Sequence, residues 1–259
     1  MAGNEIKVAR FLFDNLKSIE LPHLGVINLI GAPKPDGGIE DILLESNISL
    51  IATQDSVKKA DIYLNNFGVS IKQSGSSFSF NRIQRKNLLD LFSYLHIAES
   101  SIIINKLDKA ILDFHSGKVE GRNRPWQDFF DDFQFKVMLE FLMMRGSPNI
   151  GVSTHPASFI LEAPQEIIQK SDIKTYSFGE YFEEYSGSLS IALRRQWIGQ
   201  MSKSEHSRAV GIAKKKENEP WVFKNIVGKP RPNRDGQTWR TEIPQSDRRT
   251  VYILFIEKK

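Results

Sequence analysis

The chain of 259 residues contains no cysteine. That absence excludes structural disulfides, thiolate zinc sites and a cysteine nucleophile, and it is compatible with a reducing compartment. No stretch approaches the ~18 apolar residues that a membrane-spanning helix needs. Met1 to Lys17 lacks a long apolar core. The expectation is a cytoplasmic protein with no membrane association. Histidine is sparse. His23, His96, His115, His155 and His206 stand apart, with no pair at metal-ligand spacing beside a carboxylate, which argues against a zinc-protease type of site. His96 and His115 fall in helical stretches and read as packing or surface residues. No G-x-x-x-x-G-K-[ST] loop is present, so no nucleotide cofactor is expected. Ser153-Thr154-His155-Pro156 lacks the G-x-S-x-G elbow of a serine hydrolase.

What is present is an ordinary globular composition with an uneven charge. The hydrophobic fraction is 40% and the charged fraction 25%, values of a chain able to bury a full core. The net charge is only +4. Between Arg194 and Arg249, however, fourteen Lys/Arg stand against six Asp/Glu. The rest of the chain is therefore slightly acidic. Such asymmetry points to a polyanionic partner; a solvated basic face is the plainer alternative.

Periodicity predicts mixed α and β structure. Glu5–Leu16, Ile39–Glu45, Ile83–Glu99, Ile102–Phe114, Trp126–Met144 and Ile191–Met201 read as helices. Ile48–Thr53, Ser158–Glu162, Trp221–Val227 and Thr250–Glu257 read as strands, the last buried on both sides. The aromatic stripe from Phe129 to Leu142 reads as core. Gly31 to Gly38 and Gly146-Ser147-Pro148-Asn149 break regular structure. No repeat and no linker is visible, so one domain over 1–259 is expected.

The densest chemical signal is Lys58 to Gln73. Two short apolar runs flank Asn65-Asn66-Phe67-Gly68, which predicts a β-hairpin. With Leu64 paired to Val69 across a four-residue loop, Asp61 lies opposite Lys72 and Tyr63 opposite Ser70. Alternation then puts Asp61, Tyr63, Ser70 and Lys72 on one face and Ile62, Leu64, Val69 and Ile71 on the other. A carboxylate and an ammonium side by side can hold a cation and orient a water.

Asp61 followed by Ser70-Ile71-Lys72 across a short hairpin resembles the active-site signature of the PD-(D/E)XK nuclease superfamily, in the manner of type II restriction endonucleases. The match covers Gly37 to about Glu99. Ala60 stands where the family often has proline, and Ser70 where it usually has an acid. The resemblance implies a restriction-endonuclease-like α/β fold, a central mixed β-sheet flanked by helices. It implies a catalytic core of about 37–110 and a basic DNA-recognition region of about 190–249. It implies Mg²⁺-dependent hydrolysis of double-stranded DNA at a short specific sequence. Asp61, Ser70 and Lys72 would be catalytic, and Asp61 and the Ile71 carbonyl would hold the metal. Because serine is a weak metal ligand, a second carboxylate is needed. Glu40, at the start of the expected Ile39–Glu45 helix, is the first choice; Glu45, Glu5, Asp90 and Glu99 are alternatives.

DNA contacts are expected from Gln73 and from the basic third: Arg194, Arg195, Lys203, Arg208, Lys214, Lys215, Arg231, Asn233, Arg234 and Gln237. Lysines there suit phosphates, and the Arg/Asn/Gln loop suits base edges. A symmetric site would be met by a homodimer. Two other readings stand beside this one, a non-enzymatic DNA-binding protein and a nuclease of repair or recombination.

Overall fold

Val8, Ala9 and Leu12 recur on one face of Asn4–Asp14; the segment is helix α1, and all three are buried. The computed structural model describes residues 4–52, 58–75, 78–149 and 151–258. Thr53 of the expected strand, and Ser76 and Ser77 after Lys72, lie outside the described residues. After α1 come β1 (Glu20–Leu21), β2 (Gly25–Val26), β3 (Ile30–Pro33), β4 (Ile39–Asp41), a 3₁₀ helix (Glu45–Ala52), β5 (Ile62–Leu64), β6 (Phe67–Gln73) and β7 (Phe78–Ile83). Helices α2 (Leu88–Tyr94) and α3 (Ser100–His115), strand β8 (Asn123–Pro125) and helix α4 (Asp132–Glu140) follow. Then come β9 (Gly146–Ser147), β10 (Gly151–Val152), β11 (Phe159–Ala163), β12 (Lys174–Tyr176) and α5 (Phe178–Tyr185). The last elements are β13 (Leu189–Ile198), α6 (Lys203–Ala213), β14 (Val222–Phe223) and β15 (Arg249–Lys258).

These elements form two compact units: the chain up to Phe78 with Lys136–Ser188, and Ser79–Phe135 with Leu189–Lys258. The expected catalytic stretch 37–110 is thus divided between them, and 190–249 falls in the second. The first unit holds a six-stranded mixed sheet in the order β12-β11-β6-β5-β3-β4. Strands β11 and β6 run parallel and the other neighbours antiparallel. One face of this sheet is apolar. Ala32, Ile62, Leu64, Val69, Ile71, Leu161 and Ala163 pack there with Val8, Ala9 and Leu12 of α1 and with Ile48 and Ile51. The second unit is built on a sheet in the order β14-β15-β13-β8, with β7 also paired to β15. Ala209 and Ile212 of α6 pack on Ala192, Val251, Ile253 and Phe255 of that sheet. The expected mixed α/β architecture, a central mixed sheet flanked by helices, is what the first unit has.

Several expected elements differ. Ile39–Glu45 is not a helix: Ile39–Asp41 is an edge strand, Glu40 standing beside Ala32. Residues 48–52 of the predicted Ile48–Thr53 strand lie in the 3₁₀ helix Glu45–Ala52, consistent with Ile48 and Ile51, three apart, both being buried. Residues 191–198 of the predicted Ile191–Met201 helix belong to strand β13, because ten consecutive residues, Leu189–Ile198, pair with β15 and that ladder overrides local helical spacing. Ile83 ends β7, so α2 begins only at Leu88, and the Trp126–Met144 helix begins only at Asp132. Strand β15 is buried on both sides from Thr250 to Ile256, as read from its sequence.

The hairpin register also differs. Ile62 pairs with Val69, Tyr63 with Gly68 and Leu64 with Phe67, so the loop has two residues, not four. Asn65 (φ 49°) and Asn66 (φ 68°) both take left-handed backbone, the requirement of a tight primed turn that matches strand twist. The shift is two residues, an even number, so every side chain keeps its predicted face. Asp61 falls beside Ser70 and diagonal to Lys72.

Gly68 sits where the hairpin passes close to another segment. A Cβ there would collide with the Pro156 carbonyl oxygen and come within 3.0 Å of the Ala60 Cβ. Gly68→Ala is expected to lower stability by about 1–3 kcal/mol, read as a lower urea midpoint at unchanged slope. Gly211→Ala, in α6 with open space around it, is expected to raise stability by up to about 1 kcal/mol.

Candidate active site

The tight turn is itself anchored. Asn65 Oδ1 accepts from the N–H groups of Asn28 (2.9 Å) and Leu29 (3.2 Å), and its Nδ2 donates to the carbonyls of Leu24 (3.1 Å) and Val26 (2.8 Å). With the turn fixed, the strand ends are fixed. The Asp61 N–H donates to the Val69 carbonyl at 2.9 Å. The Ile71 N–H donates at 2.7 Å to Asp61 Oδ2, and the Ser70 hydroxyl approaches the same oxygen at 3.4 Å. Lys72 Nζ donates to Ser70 Oγ at 2.7 Å and to the Ile71 carbonyl at 3.3 Å. Asp61, Ser70, the Ile71 carbonyl and Lys72 therefore form one connected set, and Ser70 is 2% exposed.

A second lysine joins them. Lys59 Nζ donates to the Leu142 carbonyl at 2.7 Å. Burial first, and then the Lys72 charge, push its amine down to about 8, against the opposing pull of Asp61. The backbone just before Asp61 is clamped by His155, which is fully buried. Its carbonyl accepts from the N–H groups of Lys59 (3.0 Å) and Ala60 (2.9 Å). Its Nε2 lies 2.6 Å from the Lys34 carbonyl and its Nδ1 2.9 Å from the Tyr63 hydroxyl. A carbonyl only accepts, so Nε2 carries the proton, and in the neutral ring Nδ1 accepts from Tyr63. His155 here is a strut, with both ring nitrogens engaged.

The face predicted to be polar extends onto β11. Glu162 pairs in parallel register with Lys72, and Ile160 with Ser70, so Glu162 shares the face of Lys72. It is 2% exposed. The Tyr185 hydroxyl donates to Glu162 Oε2 at 2.6 Å, and the Tyr185 ring lies near Tyr181 (4.7 Å) and Tyr176 (6.2 Å). Burial, and next to it the Glu162 carboxylate, raise the Tyr181 and Tyr185 hydroxyls well above their ordinary range. The tyrosines therefore stay protonated and serve as donors. Sequence reading missed Glu162. Its signal was a single carboxylate in an otherwise apolar strand, Phe159-Ile160-Leu161-Glu162-Ala163.

Glu40 is not brought to Asp61. It is exposed on β4 beside Ala32, and alternation puts it on the apolar-core side of the sheet; Asp41, beside Gly31, is the acid on the Tyr63 side. Glu45 faces Arg10 at 3.6 Å, and Glu5 lies in the first turn of α1. Asp90 and Glu99 belong to the second unit. Among the described residues no group of three or more His, Asp or Glu is arranged to hold a metal. Gln73 ends β6 beside Ala163. In the second unit Lys203, Lys214, Lys215, Arg231, Arg234 and Gln237 are exposed. Arg194 lies 5.4 Å over the Phe255 ring and Arg208 is paired with Glu205. Asn233 Oδ1 accepts from the N–H groups of Asp235 (3.1 Å) and Gln237 (2.8 Å), so that side chain shapes its own loop. Among the described residues no helix is long and apolar enough to cross a membrane.

No protein-family model matches the sequence. No curated protein matches it. Among solved structures, the restriction endonuclease MspI in complex with its cognate DNA is similar over 77% of this chain and 63% of that chain, at 10% identity and a TM-score of 0.29. The chain thus spans less than two thirds of that enzyme's length. A likeness this remote carries no functional argument.

Lys59 gives the site a pH signature. Below about pH 8 the amine is protonated both folded and unfolded. Between about 8 and the ordinary 10.5 the unfolded chain binds the proton more tightly, so stability rises with pH across that window. Above it the gain is complete. Urea unfolding at pH 7.5, 9 and 10.5 is expected to show wild type gaining stability relative to Lys59→Met; a pH-independent difference would contradict the burial of a charged amine there.

Proposed function

We propose that the chain is a Mg²⁺-dependent nuclease of the PD-(D/E)XK kind acting on double-stranded DNA and, more finely, a type II restriction endonuclease working as a homodimer on a symmetric site. The observation that carries this reading is the connected set Asp61–Ser70–Ile71–Lys72. A salt-bridged surface hairpin would serve no purpose in placing a lysine against a serine and a carbonyl beside a carboxylate. The cationic second unit supports a nucleic-acid partner.

The donors fit a hard divalent cation. The Asp61 carboxylate, the Ser70 hydroxyl and the Ile71 carbonyl are all oxygens, as such ions prefer. Bound there, the metal would polarise a phosphate oxygen and acidify a water. The chain's own groups do the rest. Ile71 N–H and the Ser70 hydroxyl hold Asp61 Oδ2, which leaves Oδ1 outside these bonds. Lys72 spans the same oxygens and supplies positive charge where the phosphate becomes more negative. Glu162, on the Lys72 face one strand away, replaces Glu40 as the second carboxylate of the proposal. Water oxygen bonds to phosphorus, the P–O3′ bond breaks, and the products are a 5′-phosphate and a 3′-hydroxyl.

Cleavage of supercoiled plasmid tests this. Wild type with Mg²⁺ is expected to cut, and chelation of the metal to stop it. Lys72→Ala and Asp61→Asn are expected to lose about 10²–10³-fold in rate. Glu162→Gln should fall in the same direction, and Glu40→Gln should not change. Lys72→Ala cutting as fast as wild type would overturn the reading. Discrete fragments from a long duplex support restriction; a smear, or action only on branched DNA, supports repair.

A further inference from the structure

The second unit contains a cavity of about 520 Å³ whose wall includes Phe114, Arg195, Trp197, Gln200, Lys229 and Arg231. That volume is in the range of small-ligand pockets. Arg195 builds one side of it. Its guanidinium lies 4.2 Å over the Phe114 ring, and it donates to the Tyr252 hydroxyl (3.1 Å) and to the carbonyls of Phe114 (3.2 Å) and Val227 (3.2 Å). Through Val227 it ties down the loop that carries Lys229 and Arg231. Neither of those two exposed cations is in an ion pair among the described residues, and the wall's acids are taken: Glu205 by Arg208 and Glu257 by Arg122.

Two other lining side chains have the opposite need. Trp197 Nε1 and Gln200 Nε2 are buried donors with no acceptor among the described residues, and Gln200 is only 7% exposed. Buried donors are nearly always paired, and an unpaired one costs about 1–3 kcal/mol. An aromatic wall, two donors lacking acceptors and two unpaired cations at the mouth together describe a planar, acceptor-bearing heterocycle joined to an anion.

We propose that this cavity binds one nucleotide unit, its base against Trp197 with Gln200 donating, and its phosphate on Lys229 and Arg231. The unit is either a free nucleotide or one unstacked from DNA. The proposal does not rest on the nuclease reading, since every residue in it belongs to the second unit.

The test follows the Trp197 indole N–H resonance of the full chain, identified by its loss in Trp197→Phe. The probes are dAMP, dCMP, dGMP and dTMP, the four deoxynucleosides, and inorganic phosphate. At least one monophosphate is expected to move the resonance saturably, with its nucleoside about tenfold weaker. Arg231→Ala, a change at an exposed side chain, is expected to weaken the monophosphate about tenfold and leave the nucleoside within about twofold. The proposal fails if no monophosphate acts by about 10 mM, if phosphate alone matches it, or if Arg231→Ala changes nothing. A duplex with a one-nucleotide bulge, compared with a fully paired duplex and the monophosphate, separates the sources. Tighter binding of the bulged duplex by about tenfold or more assigns the pocket to DNA; monophosphate binding as tight assigns it to the free nucleotide.

Discussion

One hydrogen bond organises the candidate site, from the Ile71 N–H to Asp61 Oδ2 at 2.7 Å. Asp61 stands one residue before β5, where the ladder has not yet begun. Its carboxylate takes the place that a backbone carbonyl would hold opposite Ile71. That exchange satisfies a backbone donor that would otherwise be orphaned in a sheet. It also fixes the orientation of an acid at a strand end, where a free side chain would sample several rotamers. Ser70 and Lys72 are then set by alternation, and the other side of Ile71 is committed to the α1 core. The chemistry and the packing therefore share one backbone. A one-residue slip would invert both.

Charge balance is the second constraint. Lys59 feels the charges of both Lys72 and Asp61, and Glu162 is buried nearby in register on the Lys72 face. Ionised groups removed from water need partners or they shift their protonation. Both remedies are present. Lys59 is pushed down and finds a carbonyl, and Glu162 finds the Tyr185 hydroxyl. The tyrosines around Glu162 are raised by the same burial that threatens it, which keeps their protons available as donors. His155 adds rigidity, because both of its ring nitrogens are engaged.

How much of this was legible depended on sequence separation. The polar and apolar faces of the hairpin followed from a period of two and survived an error in loop length, because the error was even. The loop length did not follow. Asn65-Asn66-Phe67-Gly68 permits a turn over four residues or over two, and only the side-chain bonds of Asn65 to Leu24, Val26, Asn28 and Leu29 decide between them. Helix α1 and strand β15 were legible because their patterns are local and long. Strand β13 was not, since its helical spacing yields to a ladder with a segment some sixty positions away. The nearness of Glu162 to Lys72 was hidden for a similar reason: it is a parallel pairing between β6 and β11, and no local pattern encodes it. Glu40 was misread because a short segment with Ile39, Ile42 and Leu43 fits a helix as readily as an edge strand.

The two units illustrate different ways of holding polar groups in place. In the first, a carboxylate, a serine and a lysine are held against one another on the sheet, and a second lysine finds its acceptor in the Leu142 carbonyl. In the second, Arg195 is used structurally. It is stacked on Phe114 and bonded to two carbonyls and a hydroxyl, so three of its five N–H donors are held by the fold. Asn233 has the same fate within its loop. Lys229 and Arg231 are among the exposed cations that the fold leaves outside any ion pair among the described residues. Among basic and amide side chains, what distinguishes a binding group from a structural one is whether the fold has already consumed its hydrogen bonds.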